Sequence, residues 1–204
     1  MTDLKFMRWP LLVVIGWMYM SCGQNGQQQS QKTVDTISET TVARITEEAL
    51  VVPGESVGPI RLGQADSALL AQLGEPDYSD AAMGKAVLAW YMSNDSPGYP
   101  LSVFTARNMG NDETARIRQI RITSPYYTTS EGLCANSSLK QISAQYHTEQ
   151  VDTYEKDGQH YAIHDTKQGI AFEVDPNDSC IAIIVYAPGA GPQSYLPLRG
   201  FESN

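Results

Sequence analysis

Apolar positions recur along the chain in two rhythms. From Asp66 to Leu73 the spacing is helical, with Leu69, Leu70 and Leu73 on one face, Gly74 as a stop and Pro76 barring continuation. A related pattern follows about 73 positions later, where Ser137 or Ser138 caps a helix presenting Leu139, Ile142 and Tyr146. In this register Gly63 falls against Asn136, two residue types that tolerate a positive φ. Helices this short need an apolar surface to pack on.

Runs of β-branched and aromatic residues supply that surface. Val87 to Met92, Leu101 to Arg107 and Ile117 to Thr123 follow the first helix; Tyr161 to Asp165, Gly169 to Val174 and Cys180 to Tyr186 follow the second. Ile120 and Ile122 alternate with Gln119 and Arg121, and Ile170, Phe172 and Val174 with Ala171 and Glu173, so one side of the sheet faces the helix. The run from Cys180 to Tyr186 is apolar on both sides, which predicts a central strand. The expected fold is α+β: two tandem repeats, residues 50–127 and 128–190, each a short helical segment packed on a three-stranded antiparallel meander, with a C-terminal tail at 191–204.

The N-terminus has a different pattern. Lys5 and Arg8 precede an apolar run from Leu11 to Met20 that ends at Ser21-Cys22. About ten apolar residues suit a signal peptide, whereas crossing a bilayer takes roughly 20. Residues 1–21 therefore read as a lipoprotein signal peptide and Cys22 as the lipidated residue, although Tyr19 and Met20 depart from the usual lipobox. An ordinary signal peptide with an incidental cysteine is the other reading. Residues 22–49, rich in glutamine and then in threonine and glutamate, read as a disordered tether. The expected address is the bacterial cell envelope, lipid-anchored through Cys22 and facing the periplasm or the cell surface.

Charge narrows the partners. The net charge is -9 and becomes about -10 without Asp3, Lys5 and Arg8. An acidic chain with no basic stripe is a poor ligand for nucleic acid or anionic lipid, so membrane attachment falls to the acyl group. Cys134 and Cys180 remain as an even pair outside the cytoplasm, which favours a disulfide over two idle thiols or a reactive cysteine.

The segment VGPIRLGQADSALLAQLGEPD resembles the SmpA/OmlA (BamE) type of envelope lipoprotein domain and the related β-lactamase-inhibitor-protein-like fold. Both set a helical segment against a small antiparallel sheet. The resemblance covers about 20 residues of the first repeat and, more weakly, the same span of the second, where His147 replaces the usual glycine. It implies a non-catalytic binding or assembly role toward an envelope protein.

Candidate chemistry is sparse. His160 and His164 fall on a strand, where four residues separate the rings by about 13 Å, too far to share an ion unaided. His147 reads as a surface residue at a helix end. Asp175 to Asp178 has the composition of a tight turn and lacks the carboxylate spacing of a calcium loop. No nucleophile elbow, phosphate loop or paired Cys-x-x-Cys occurs, and neither a metal nor a cofactor is expected. Aromatics on or near the strands serve cores as well as binding surfaces, and the candidates for partner binding among them are Tyr126 and Tyr127 between the repeats, and Trp90 and Tyr91 on a strand. A periplasmic hydrolase, needing a nucleophile and base in contact, and a small-ligand carrier, needing an enclosed apolar pocket, are the alternatives.

Overall fold

The computed structural model describes residues 47–91 and 100–193. The expected signal peptide, Cys22, and nearly all of the tether and tail lie outside the described residues. Among the described residues these elements follow one another: β1 (Leu50–Val52), β2 (Ser56–Val57), β3 (Ile60–Arg61), α1 (Asp66–Leu73), β4 (Tyr78–Ala82), β5 (Lys85–Tyr91), β6 (Pro100–Asn108), β7 (Asp112–Ile122), β8 (Thr128–Thr129), α2 (Leu139–Gln145), β9 (Glu149–Lys156), β10 (Gln159–Asp165), β11 (Ile170–Val174) and β12 (Cys180–Tyr186).

The expected architecture needs correction. The chain is mostly β, and the long strands form one antiparallel sheet in the order β4-β5-β6-β7-β12-β11-β10-β9, beside a small mixed sheet ordered β3-β2-β1-β8. Two strands of the large sheet escaped the sequence pattern: β4 and β9 are its edges, and their mostly exposed side chains carry no apolar alternation. Nor are there two separate helix-on-meander units. One apolar cluster joins Val51, Leu69, Trp90, Ile120, Ile142, Phe172 and Val185, so both halves share a core between the large sheet and the layer made by the helices and small sheet.

The seam is the β7–β12 pair, with Ile122 opposite Ile183 and Ile120 opposite Val185. The apolar composition of β12 on both sides fits this central position. Each helix is tied to the sheet at its entry. Gly63 (φ 79) donates its N–H to Ile117 O at 2.8 Å, and Asn136 (φ 76) donates to Cys180 O at 2.7 Å. α2 starts with a reciprocal cap: Ser138 Oγ accepts from Gln141 N, and Gln141 Oε1 accepts from Ser138 N. α1 has Ala65 at the same position and no side-chain cap.

Candidate interaction surfaces

The structure divides the four aromatic candidates. Trp90 points into the core from β5 and donates its indole N–H to Gly74 O at 3.2 Å, whereas the next residue, Tyr91, faces the opposite side and is 41% exposed. Tyr127 is buried against Gly58, and Tyr126 meets it edge-on with ring centroids 5.2 Å apart while remaining 48% exposed. Tyr91 and Tyr126 are thus the exposed members of the four, and Trp90 and Tyr127 belong to the packing.

Sequence reasoning passed over a corner at the other end of β5. Met83 and Gly84 form the two-residue loop between Ala82 and Lys85, both with positive φ (51 and 72). This geometry calls for Asn-Gly or Asp-Gly. The β9–β10 loop has the same pair of angles and carries Asp157-Gly158. Met83 gains nothing structural in exchange, since it is 90% exposed. Met109, on the adjacent β6–β7 tip, is 65% exposed and lies over Gly84, where a Cβ would come within 3.0 Å of its Sδ. A shallow groove lined by Met83, Ala86, Val87 and Phe104 opens beside them. Met-Gly just ahead of the Val87 to Met92 run was the available signal.

A second cluster lies on the side of the large sheet away from the helices. Arg121 on β7 donates to Glu173 on β11 at 2.8 Å, both side chains nearly inaccessible. The Tyr154 hydroxyl donates to the other Glu173 oxygen, and Tyr154 stacks on Tyr161 with centroids 5.0 Å apart. Nearby, the Tyr186 hydroxyl donates to Asp165; burial foremost, then that carboxylate, push the Tyr186 pKa up.

Cys134 and Cys180 approach through backbone contacts. Cys180 N donates to Ser137 O at 2.8 Å, and Ser137 N donates to Cys134 O at 3.1 Å. Both thiols are unbridged; burial pushes that of Cys180 up to about 12. His160 is exposed, and burial lowers the His164 pKa. Asp175 Oδ1 accepts from Asn177 N and Ser179 N, as in a tight turn. Among the described residues, no three His, Cys, Asp or Glu side chains are grouped to hold a metal.

No family model matches the chain, and no curated protein does either. Two solved structures are similar to it. A cysteine-rich secretory protein from Staphylococcus aureus shares 14% identity at a TM-score of 0.43, over 66% of this chain and 48% of that one. An extracellular protein containing an SCP domain from Bacillus anthracis shares 9% at 0.39, over 81% and 50%. The chain thus spans about half the length of each. Likeness of this size establishes neither a common fold nor a common activity. The expected kinship with the SmpA/OmlA (BamE) or β-lactamase-inhibitor-protein type is corrected: one continuous eight-stranded sheet replaces the helix-on-three-strands unit behind it.

Proposed function

We propose that this protein is a lipid-anchored binding module of the cell envelope, without catalytic activity, which holds a protein partner through the methionine corner of its sheet. The carrying observation is Met83. A turn with two positive φ values disfavours a long side chain at its first position, and no burial compensates it there. Methionine, flexible and polarisable, adapts to an apolar partner surface, and Met109 and the neighbouring groove extend the patch. Tyr91 and Tyr126 lie toward the opposite end of the sheet and offer a second contact point. The apolar run before Cys22 supports export and the anchor.

A photo-crosslinking residue at position 83, in the anchored protein in cells, tests the reading against the same residue at Asp157 in the matching turn. Position 83 is expected to give a discrete adduct with an envelope protein, lost on Met109→Asp, and position 157 is expected to give none. Equal labelling at both positions would refute the methionine corner as the binding surface.

A further inference from the structure

The last strand of a sheet presents a row of outward N–H and C=O groups that will pair with one more strand. The two edges of the large sheet differ in how they meet this. Each belongs to a hairpin with a two-residue loop of the same angles, Met83-Gly84 and Asp157-Gly158, and such a loop is closed by a hydrogen-bonded pair. Alternation from Ala82–Lys85 then bonds Asp80 and Tyr78 to β5 and turns the backbone groups of Ser79 and Ala81 outward. The next ladder agrees: Arg107 N donates to Gly84 O at 2.8 Å, which assigns Gly84, Ala86 and Leu88 to β6 and leaves Lys85, Val87 and Ala89 for β4. Alternation from Lys156–Gln159 likewise turns Glu155 and Thr153 outward on β9.

The β9 edge is guarded. Its register shifts between Ile163 and His164, so that Val151 is the extra residue of a bulge, and the outward N–H of Thr153 donates to Asp152 Oδ1 at 2.8 Å. Lys156 ends the strand, and Lys167 holds Glu149 at its start at 2.6 Å. The β4 edge carries none of these devices. Its five pairs keep one register, Ser79 to Ala82 are exposed, and among the described residues it has a neighbour strand on one side only. Its sequence, YSDAA, contains no lysine, arginine or proline, and Ser79, Ala81 and Ala82 are small enough for another backbone to come close. Charge adds a preference. Asp80 is the strand's charged residue, and the exposed Glu75 and Asp77 precede it, so the edge carries carboxylates where β9 mixes both signs.

We propose that the partner held at the methionine corner adds an extended strand to β4, setting a basic side chain beside Asp80 and an apolar one beside Ala82 and Met83. The proposal rests on the reading of that corner as the binding surface, and it gives the partner a chemistry: an extended, basic segment of an envelope protein. Main-chain bonds to Ser79 and Ala81 supply affinity, and opposite charges on facing positions of neighbouring strands supply selectivity.

Two measurements on the full chain test this. A fluorescein-labelled peptide, Thr-Val-Thr-Lys-Thr-Val-Thr, sets valine, lysine and valine on one face when extended. It is expected to bind the detergent-solubilised protein saturably in anisotropy titrations. Binding should weaken at least tenfold when glutamate replaces its lysine, and at least tenfold on Ala81→Pro, which removes an outward N–H and no bond to β5. Glu155→Pro, the matching change on β9, should leave binding as it was. No saturable binding to the wild-type chain, or binding that survives Ala81→Pro, overturns the added strand. In cells, the adduct of a photo-crosslinking residue at position 83 should be lost on Ala81→Pro and kept on Glu155→Pro. An adduct that survives Ala81→Pro overturns the strand and leaves the methionine corner standing, whereas no adduct from the otherwise unchanged chain overturns both. If Ala81→Pro does not fold by circular dichroism, Asp80→Lys decides by the same tenfold criterion.

Discussion

Met83 stands where asparagine would relieve strain, so its replacement separates folding from function. Met83→Asn is expected to stabilise the protein by about 1 kcal/mol, raising Tm by about 2–4 °C in calorimetry, while weakening partner capture. A stability loss would mean that the methionine is structural. Arg121 presents the opposite case. Arg121→Met strands the Glu173 carboxylate in the interior and is expected to cost about 3–5 kcal/mol in denaturant unfolding. Adding Glu173→Leu should recover most of that loss; a double variant as unstable as the single would place the value of the arginine in packing. Neither residue announces its role by type alone. Arg121 sits between Ile120 and Ile122 as a solvent-facing residue would, and its partner, 52 residues away, becomes visible only through the β7–β12–β11 register.

Glu131 sets an acid dependence of the loop before α2. The Tyr146 hydroxyl, donating at 2.7 Å, and then that of Ser130 lower its carboxyl from 4.5 to about 2. A carboxyl depressed by folding contributes stability that is complete above pH 4.5 and lost as pH falls from 4.5 toward 2. Glu131→Gln should therefore unfold with a shallower acid limb across this window in thermal melts at stepped pH, and an unchanged limb would rule the contact out as its source.

At the scale of elements, legibility followed burial. α1 occupies Asp66–Leu73 as its apolar face and Gly74 stop indicate, and β12 spans Cys180–Tyr186 as its apolar run does. The edges were illegible for the reason they function as edges: Glu149 to Lys156 has only Asp152, Tyr154 and Lys156 partly buried and presents no apolar stripe. Counting helix and strand signals also could not show that two meanders fuse into one sheet, because that depends on which open edge finds which. The capping box of α2 gives the element-scale prediction. Ser138→Ala removes the acceptor for Gln141 N and is expected to cost about 1 kcal/mol, lowering Tm by about 2–4 °C; no shift would show that the entry contacts at Asn136 and Cys180 hold the helix without it.

For the whole molecule, the proposed envelope address makes the cysteines informative. With the Cys180 thiol raised by burial, folded reduced protein should alkylate at Cys134 and resist at Cys180 until denatured. In protein recovered unreduced from the envelope, the disulfide expected from the even pair of cysteines, in place of the two free thiols of the structure, would leave neither residue open to alkylation even after denaturation, and mass spectrometry showing both thiols modified would dispose of it. The anchor is independent of the sheet: labelled palmitate should enter the wild-type chain and not Cys22→Ser, and an unlabelled wild type would remove the lipid from the account.

The β7–β12 seam also orders events in time. Its paired residues, Ile122 and Ile183, lie about sixty positions apart, and β12 is the last strand of the sheet. A chain threaded N-terminus first through a translocon would display β7, with its row of isoleucines, well before the strand that completes it. Closure of the sheet would then report that nearly all of the domain had emerged. Until that moment the β7 edge would stay open, although the β4–β7 meander that carries Met83 and Met109 would already be out.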